Sequence, residues 1–479
     1  MARCARGAAA AAALLFAAAA SAPNAPQEAN PWDETSGALG TLPERPAGPV
    51  SGEALDRLVA AGERLFRAKF TSAEGAGRPG ATQAILPTRV RPGDERRPAF
   101  SRTSGSDANS CAACHNDPVV GGAGDFVTTT FVSEGFTNPH FDSTDPQFSN
   151  ERGSNHLFGA GLVELLAREM SADLARQRTD ALRAARDRGE PVTVALETKG
   201  VGFGRLTALA DGTVELSDVE GVDADLVVRP FSQKGVMTSL RQFTVNAGNH
   251  HHGMQAPERF GRRWTGTADH DGDGFGDELS DADVSALVAW QATLPPPVAW
   301  TPNDGRWRAA AAAGSQHFDT FECSACHVRE LPLRSLSFAD PGPLDAAGTL
   351  SARDVERPAT YDLGERPGFA LRRNGRGEWM VPLFGDLKRH SITDATHDRL
   401  GNELLSQRFV ERGVFATAEL WGIGSTAPYG HRNDMTTLDE VIRAHGGEAA
   451  ASRDAYEGAS DGARSELIAF LRTLRIPGE

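Results

Sequence analysis

Cys111-Ala112-Ala113-Cys114-His115 reads C-x-x-C-H, and Cys323-Ser324-Ala325-Cys326-His327 repeats it in the second half of the chain. In this pattern two thiols add across the vinyl groups of a haem, and the adjoining histidine reaches the iron from one face. The competing reading, half of a zinc site, needs a second cysteine pair for each motif. The chain has five cysteines, and the one outside the two motifs is Cys4. The spacing therefore implies two covalently bound c-type haems, held by Cys111, Cys114 and His115 and by Cys323, Cys326 and His327.

Working outward, a longer repeat appears. Pro230-Phe231-Ser232-Gln233-Lys234-Gly235-Val236-Met237-Thr238-Ser239-Leu240 aligns without a gap on Pro428-Tyr429-Gly430-His431-Arg432-Asn433-Asp434-Met435-Thr436-Thr437-Leu438. Ser285 to Trp290 likewise aligns on Ser465 to Phe470, and Gly62…Phe66 on Gly314…Phe318. The order helix, C-x-x-C-H, Pro-aromatic-Met-Thr segment, closing helix occurs twice. The expected fold is mainly α: two tandem cytochrome c-like lobes, residues 51–297 and 298–479, hinged at Pro295-Pro296-Pro297. Val192-Thr193-Val194, Gly204 to Leu209, Asp211 to Leu216 and Leu226 to Val228 read as short strands, so residues 191–229 are expected to be a small β insertion in the first lobe.

The N-terminus carries Arg3 and Arg6 and then an apolar run, Ala8 to Ala20, with small residues at its end. Residues 1–20 read as a secretory signal peptide, too short to span a membrane comfortably. Its removal takes the formal charge from -15 to -17, since Arg3 and Arg6 leave with it. Covalent haem attachment normally follows export, so a periplasmic setting is expected. Residues 21–50, rich in Pro, Ala, Gly and Glu, read as a flexible leader. A sequence pI of about 5.4 argues against nucleic acid, whose recognition needs a basic face. It suits a redox partner with a basic patch.

Asp269-His270-Asp271-Gly272-Asp273-Gly274-Phe275-Gly276-Asp277-Glu278, within an acidic loop over residues 269–281, resembles a calcium loop. Asp269, Asp271, Asp273 and Asp277 are the candidate ligands. The twelfth position is Ser280 rather than the Glu of an EF-hand, and Asp281 or Asp283 could supply a late ligand. The second axial position of each haem decides its use: a protein ligand favours electron transfer, an open position admits a small molecule. Candidates in the first lobe are His140, His156, His250, His251, His252 and Met254, with the His250–His252 cluster foremost. In the second lobe they are His445, His431, His390, Met380 and Met435. His317 reads as a surface residue of the entry helix.

These motifs resemble the bacterial di-haem cytochrome c peroxidase superfamily, and most closely its larger di-haem oxidoreductase group, in which some members are labelled thiol oxidoreductases. The resemblance rests on Ser110 to Gly124, Leu157 to Glu164, Phe231 to Leu240, Asp269 to Leu279, Leu287 to Pro297, Asp386 to His390 and Ala418 to Ala449. It implies that electrons enter at the C-terminal haem and that peroxide is reduced at the N-terminal one. It also implies that His445 is the second ligand opposite His327. The family's peroxidases place an acid just after the position of Leu240, where this chain reads Arg241-Gln242-Phe243. Arg241 could polarise the O–O bond, and a histidine of the cluster, taken as His251, could replace the acid.

The reading reached is a periplasmic di-haem oxidoreductase that reduces hydrogen peroxide or another small acceptor. Its expected donor is a small cytochrome or copper protein, and a homodimer is compatible with it. The alternatives are an electron-transfer cytochrome without substrate chemistry, and an oxidase of a small substrate.

Overall fold

The structure is a computed structural model. It describes residues 32–77, 90–91, 94–98, 108–131, 149–345, 348–401 and 407–477. The signal segment 1–20 and His140 lie outside the described residues.

The main helices are α1 (Gly52–Arg67), α2 (Ala160–Arg188), α3 (Leu240–His252), α4 (Asp281–Ala292), α5 (Gly305–Thr320), α6 (Leu438–Arg443) and α7 (Asp461–Leu471). Two helix pairs repeat one arrangement. Helix α1 buries Leu55, Leu58, Ala61, Leu65 and Phe66 along one face, the spacing of an amphipathic helix, and packs on α4. Every residue of α4 after Asp281 is buried, as expected of a helix that is apolar all round. Helix α5 packs on α7 in the same way. Each crossing is closest at a glycine. A Cβ at Gly62 would lie 2.0 Å from the carbonyl of Ala286, and one at Gly314 would lie 1.8 Å from that of Glu466. Ala286 and Glu466 are aligned positions of the sequence repeat, so both closing helices are met at the same point.

The Pro-aromatic-Met repeat is also structural. Phe231 pairs with Met237 and Tyr429 with Met435 as isolated antiparallel bridges. Ser239 caps α3 by accepting from the Gln242 N–H, and Thr437 caps α6 by accepting from the Glu440 N–H. Each cap satisfies a backbone donor that the first helical turn leaves free.

The chain is more mixed than the expected mainly α class. It is helix-rich, with small two- and three-stranded sheets. One of these occupies the expected insertion: Val192–Thr198, Val201–Ala208 and Val214–Glu215 pair antiparallel in sequence order. Lys199 and Gly200 form its two-residue turn, both at positive φ, the geometry that matches strand twist. Other strands, such as Ser337–Asp340 and Ala359–Asp362, lie in a stretch that shows no periodic pattern in the sequence.

Two observations bear on the expected bounds. Residues 32–50 of the leader are mostly exposed but touch the rest of the chain at points: Gly48–Pro49 pairs in parallel with Ala359–Thr360, Ala38 is buried, and the Gly40 N–H donates to Asp283. Residue 297 does not separate two cores. The largest apolar cluster includes Leu162, Leu166 and Phe203 together with Leu331, Phe338, Tyr361, Leu363, Val381 and Trp421. Lys199 donates to the Pro332 carbonyl across the same seam. A smaller cluster around Phe318, Phe384, Tyr456, Leu467 and Phe470 belongs to the C-terminal part alone.

No helix among the described residues is long and apolar enough to cross a membrane.

Candidate functional site

Each C-x-x-C-H segment forms one short 3-10 turn, Cys111–Ala113 and Cys323–Ala325. The turn closes when the His115 N–H donates to the Cys111 carbonyl at 3.1 Å and the His327 N–H to the Cys323 carbonyl at 3.0 Å. Both cysteines and the histidine of each motif thereby face a cavity, of about 210 Å³ in the N-terminal half and about 360 Å³ in the C-terminal half.

The residues present fit a haem in each cavity. Burial pushes the Cys111 thiol up to about 12 and the Cys323 thiol up to about 11. A buried site of this kind disfavours a charged sulfur, and uncharged thioether sulfurs suit these positions. Burial also lowers His115 and His327 to about 4, so both are neutral with a lone pair to offer. The His327 Nδ1–H donates to the Phe384 carbonyl at 3.2 Å. This fixes the tautomer that leaves Nε2 free to bind a metal. The carbonyls of Asn155 and Gly122 face the His115 ring without reaching hydrogen-bond geometry to its buried Nδ1.

The C-terminal cavity contains the expected candidate for a second ligand. His445 lines it and lies near enough for its charge to act on His327. Its Nδ1–H donates to the Val441 carbonyl at 2.7 Å, one turn back, and Arg453 holds its own carbonyl at 2.8 Å. Burial keeps His445 below its ordinary value. His431 also lines this cavity, stacked 3.5 Å from the Phe415 ring and donating to the Leu400 carbonyl. Met380 and Met435 do not line it.

His390 is excluded as a ligand. Its Nε2 binds Asp386 at 2.8 Å and its Nδ1 binds Glu448 at 2.7 Å, so neither nitrogen has a lone pair to offer. The Cys326 sulfur approaches the same cluster. Burial alone would lower His390, but the hydrogen bond to Asp386 and the other partners lift it from 6.5 to about 11. A raised pKa stabilises the fold fully below the unfolded value and progressively less as pH rises through the folded one. Unfolding free energy should therefore fall between about pH 6.5 and 11, and His390→Gln should flatten that fall. Equilibrium denaturation across this range checks the result. An unchanged slope would refute the charged assignment.

The N-terminal cavity differs. His250, His251, His252 and His156 line it, and Met254 does not. His252 bonds the Ala108 carbonyl through Nδ1 and lies 3.4 Å from the Cys111 sulfur through Nε2. His251 acts electrostatically on His115. No carboxylate lines the cavity among the described residues. The proposed catalytic role of Arg241 is corrected: it does not line the cavity. It is 1% exposed, bonded to Glu258 at 2.9 Å and Asp340 at 3.0 Å and to the Ser285 hydroxyl at 2.8 Å. A guanidinium buried between two carboxylates holds the fold and cannot turn toward a ligand.

Two features escaped sequence reading. Extending the repeat seven residues beyond Leu240 and Leu438 places Ala247 opposite His445, and each lines its own cavity. The signal was available in the ungapped alignment. Glu419 lines the C-terminal cavity, where burial raises it to about 7; nothing in the sequence marked it.

In the acidic loop, carboxylate oxygens of Asp269, Asp271 and Asp273 lie within 4.8 Å of one another. Asp277 is exposed and outside that group. Ser280 and Asp283 are committed to the capping box that starts α4.

Residues 365–474 match the family described as "Di-haem oxidoreductase, putative peroxidase". No curated protein matches the chain. Among solved structures, the chain is similar to a Kuenenia stuttgartiensis hydrazine synthase pressurised with xenon, at 12% identity and TM-score 0.36, over 90% of each chain. It is also similar to a MauG-like protein associated with microbial copper homeostasis, at 16% identity and TM-score 0.27, over 55% of this chain and 77% of that one.

Proposed function

We propose, on the premise that this chain belongs through residues 365–474 to the di-haem oxidoreductase family, that it is an exported enzyme reducing hydrogen peroxide with electrons admitted at the His327 site and used at the His115 site. The two sites head tandem cytochrome c-like lobes. One observation carries the reading: the repeat sets Ala247 in the N-terminal cavity where His445 stands in the C-terminal one.

A bound haem supplies one-electron redox chemistry, with an axial position open to a small ligand where the protein does not fill it. His327 and His445 would hold the C-terminal group, each ring fixed through Nδ1 by a carbonyl. In the N-terminal cavity Ala247 offers no ligand. Reducing peroxide to two waters takes two electrons and two protons. With Arg241 committed elsewhere and no carboxylate on the described wall, we assign the proton transfer there to His251, one of the histidines that line the cavity. The net charge of -15 suits a donor with a basic face, such as a small cytochrome or copper protein. The Asp269, Asp271 and Asp273 carboxylates would take a calcium ion, with Asp277 dropped from the ligand set.

Spectra of the half-reduced holoprotein test the proposal. One iron should be low-spin and six-coordinate, the other high-spin and altered by added peroxide. If both stay low-spin and peroxide changes nothing, the peroxidase reading is lost. The electron-transfer reading then stands, favoured by the histidines that line the N-terminal cavity. A calcium chelator in the same experiment should lower the thermal midpoint; no change would remove the calcium site.

A further inference from the structure

We infer that His156 is the positioning residue that couples the two cavities electronically, through a path of covalent bonds, hydrogen bonds and one through-space step between the two motif histidines. The inference rests on the proposed exchange of electrons between the two sites, and names the route.

The two cavities share a wall made by Ser154, Asn155, His156, Ser232 and Gln233. Of these, His156 alone carries a ring. From the N-terminal side, the Asn155 carbonyl faces the His115 ring, and Asn155 is joined to His156 by a peptide bond. The His156 Nε2–H then donates to the Trp421 carbonyl at 2.8 Å. One peptide back along that segment, the Leu420 N–H donates to the Phe384 carbonyl at 3.3 Å. That same carbonyl accepts from the His327 Nδ1–H at 3.2 Å. From Asn155 onward the route is backbone, one imidazole and hydrogen bonds; the step from the His115 ring to the Asn155 carbonyl is a through-space contact.

The imidazole is held in place. A Cβ on Gly422 would lie 2.8 Å from His156 Nε2, so the chain passes the ring at contact distance. Trp421, whose carbonyl receives the bond, is buried and belongs to the core that joins the two halves. Burial lowers His156 to about 4, so the ring is neutral and its Nε2–H is not exchanged for a second charge near neutral pH. One electron leaves the C-terminal site, which is oxidised by one unit, and arrives at the N-terminal site, which is reduced by one. His156 gains and loses neither an electron nor a proton.

The test follows electron equilibration between the sites by stopped-flow absorption, after mixing oxidised holoprotein with sub-stoichiometric dithionite. His156→Phe fills the space but removes the N–H; His156→Gln keeps a donor. The Phe variant should equilibrate at least about tenfold more slowly, a barrier increase of about 1.4 kcal/mol, and the Gln variant near the natural rate. Midpoint potentials and spectra of both sites should stay unchanged, which a merely structural disturbance would not leave so. His156→Met, flexible and of similar bulk, replaces the Phe variant if that fails to fold. Equal rates in the natural protein and the apolar variant overturn the route while leaving the function standing. No transfer between sites in the natural protein overturns both.

Discussion

Arg241→Ala should lose about 3–5 kcal/mol of stability, the range for removing one partner of a buried ion pair. Its guanidinium faces Glu258 and Asp340 together, and neither carboxylate has water to turn to. Burial raises Glu258 above its ordinary value even with Arg241 in place. Without the cation, both acids must either protonate or open the packing around them. Asp340 lies in the strand Ser337–Asp340, so the loss would loosen the attachment of the C-terminal half to α3. Urea unfolding followed by circular dichroism measures the effect. Adding Glu258→Gln and Asp340→Asn should recover part of it, because the charge imbalance is removed. A variant with unchanged stability and lost peroxide turnover would restore Arg241 to a catalytic role.

Ala247→His should lower peroxide turnover by at least about 100-fold, about 2.7 kcal/mol of barrier. The residue lies inside α3 and lines the N-terminal cavity, whereas His445 follows the end of α6 and lines the C-terminal one. A histidine introduced at 247 would add an imidazole to the N-terminal cavity wall. The half-reduced protein should then show two low-spin irons, and the peroxide-induced spectral change should vanish. Retained turnover would mean that this register is not the one that fills the axial position, and would remove the main support for an open N-terminal site. Turnover assays and spectra on the same preparation decide it.

The haem motifs were legible because covalent attachment fixes residue types at fixed spacing. The insertion was legible because its strands and turn residues are contiguous. Arg241 was misread because its partners lie 17 and 99 residues away, and a charged residue beside a repeat segment attracts a functional reading. The pairing of Gly48–Pro49 was invisible for the same reason: Gly48 meets Ala359 only in three dimensions. The Ser337–Asp362 region carries no strong period, since its strands are short and gain their stability from the N-terminal core. Ala247 matters by what it lacks, and a missing ligand shows only once its counterpart has been placed.

The core that spans residue 297 also sets how the chain can come together. A polypeptide supplied from its N-terminus holds Leu162, Leu166 and Phe203 ready, but their cluster includes Leu331 to Leu387 and Trp421. That cluster cannot close until those residues are present. Such distant pairing slows folding and prolongs the exposure of apolar surface. An N-terminal fragment ending at the proline hinge would lack part of its own interior and be prone to self-association. Each half carries a redox motif, yet the two are not folding units of equal standing: the N-terminal half borrows its interior from the C-terminal one.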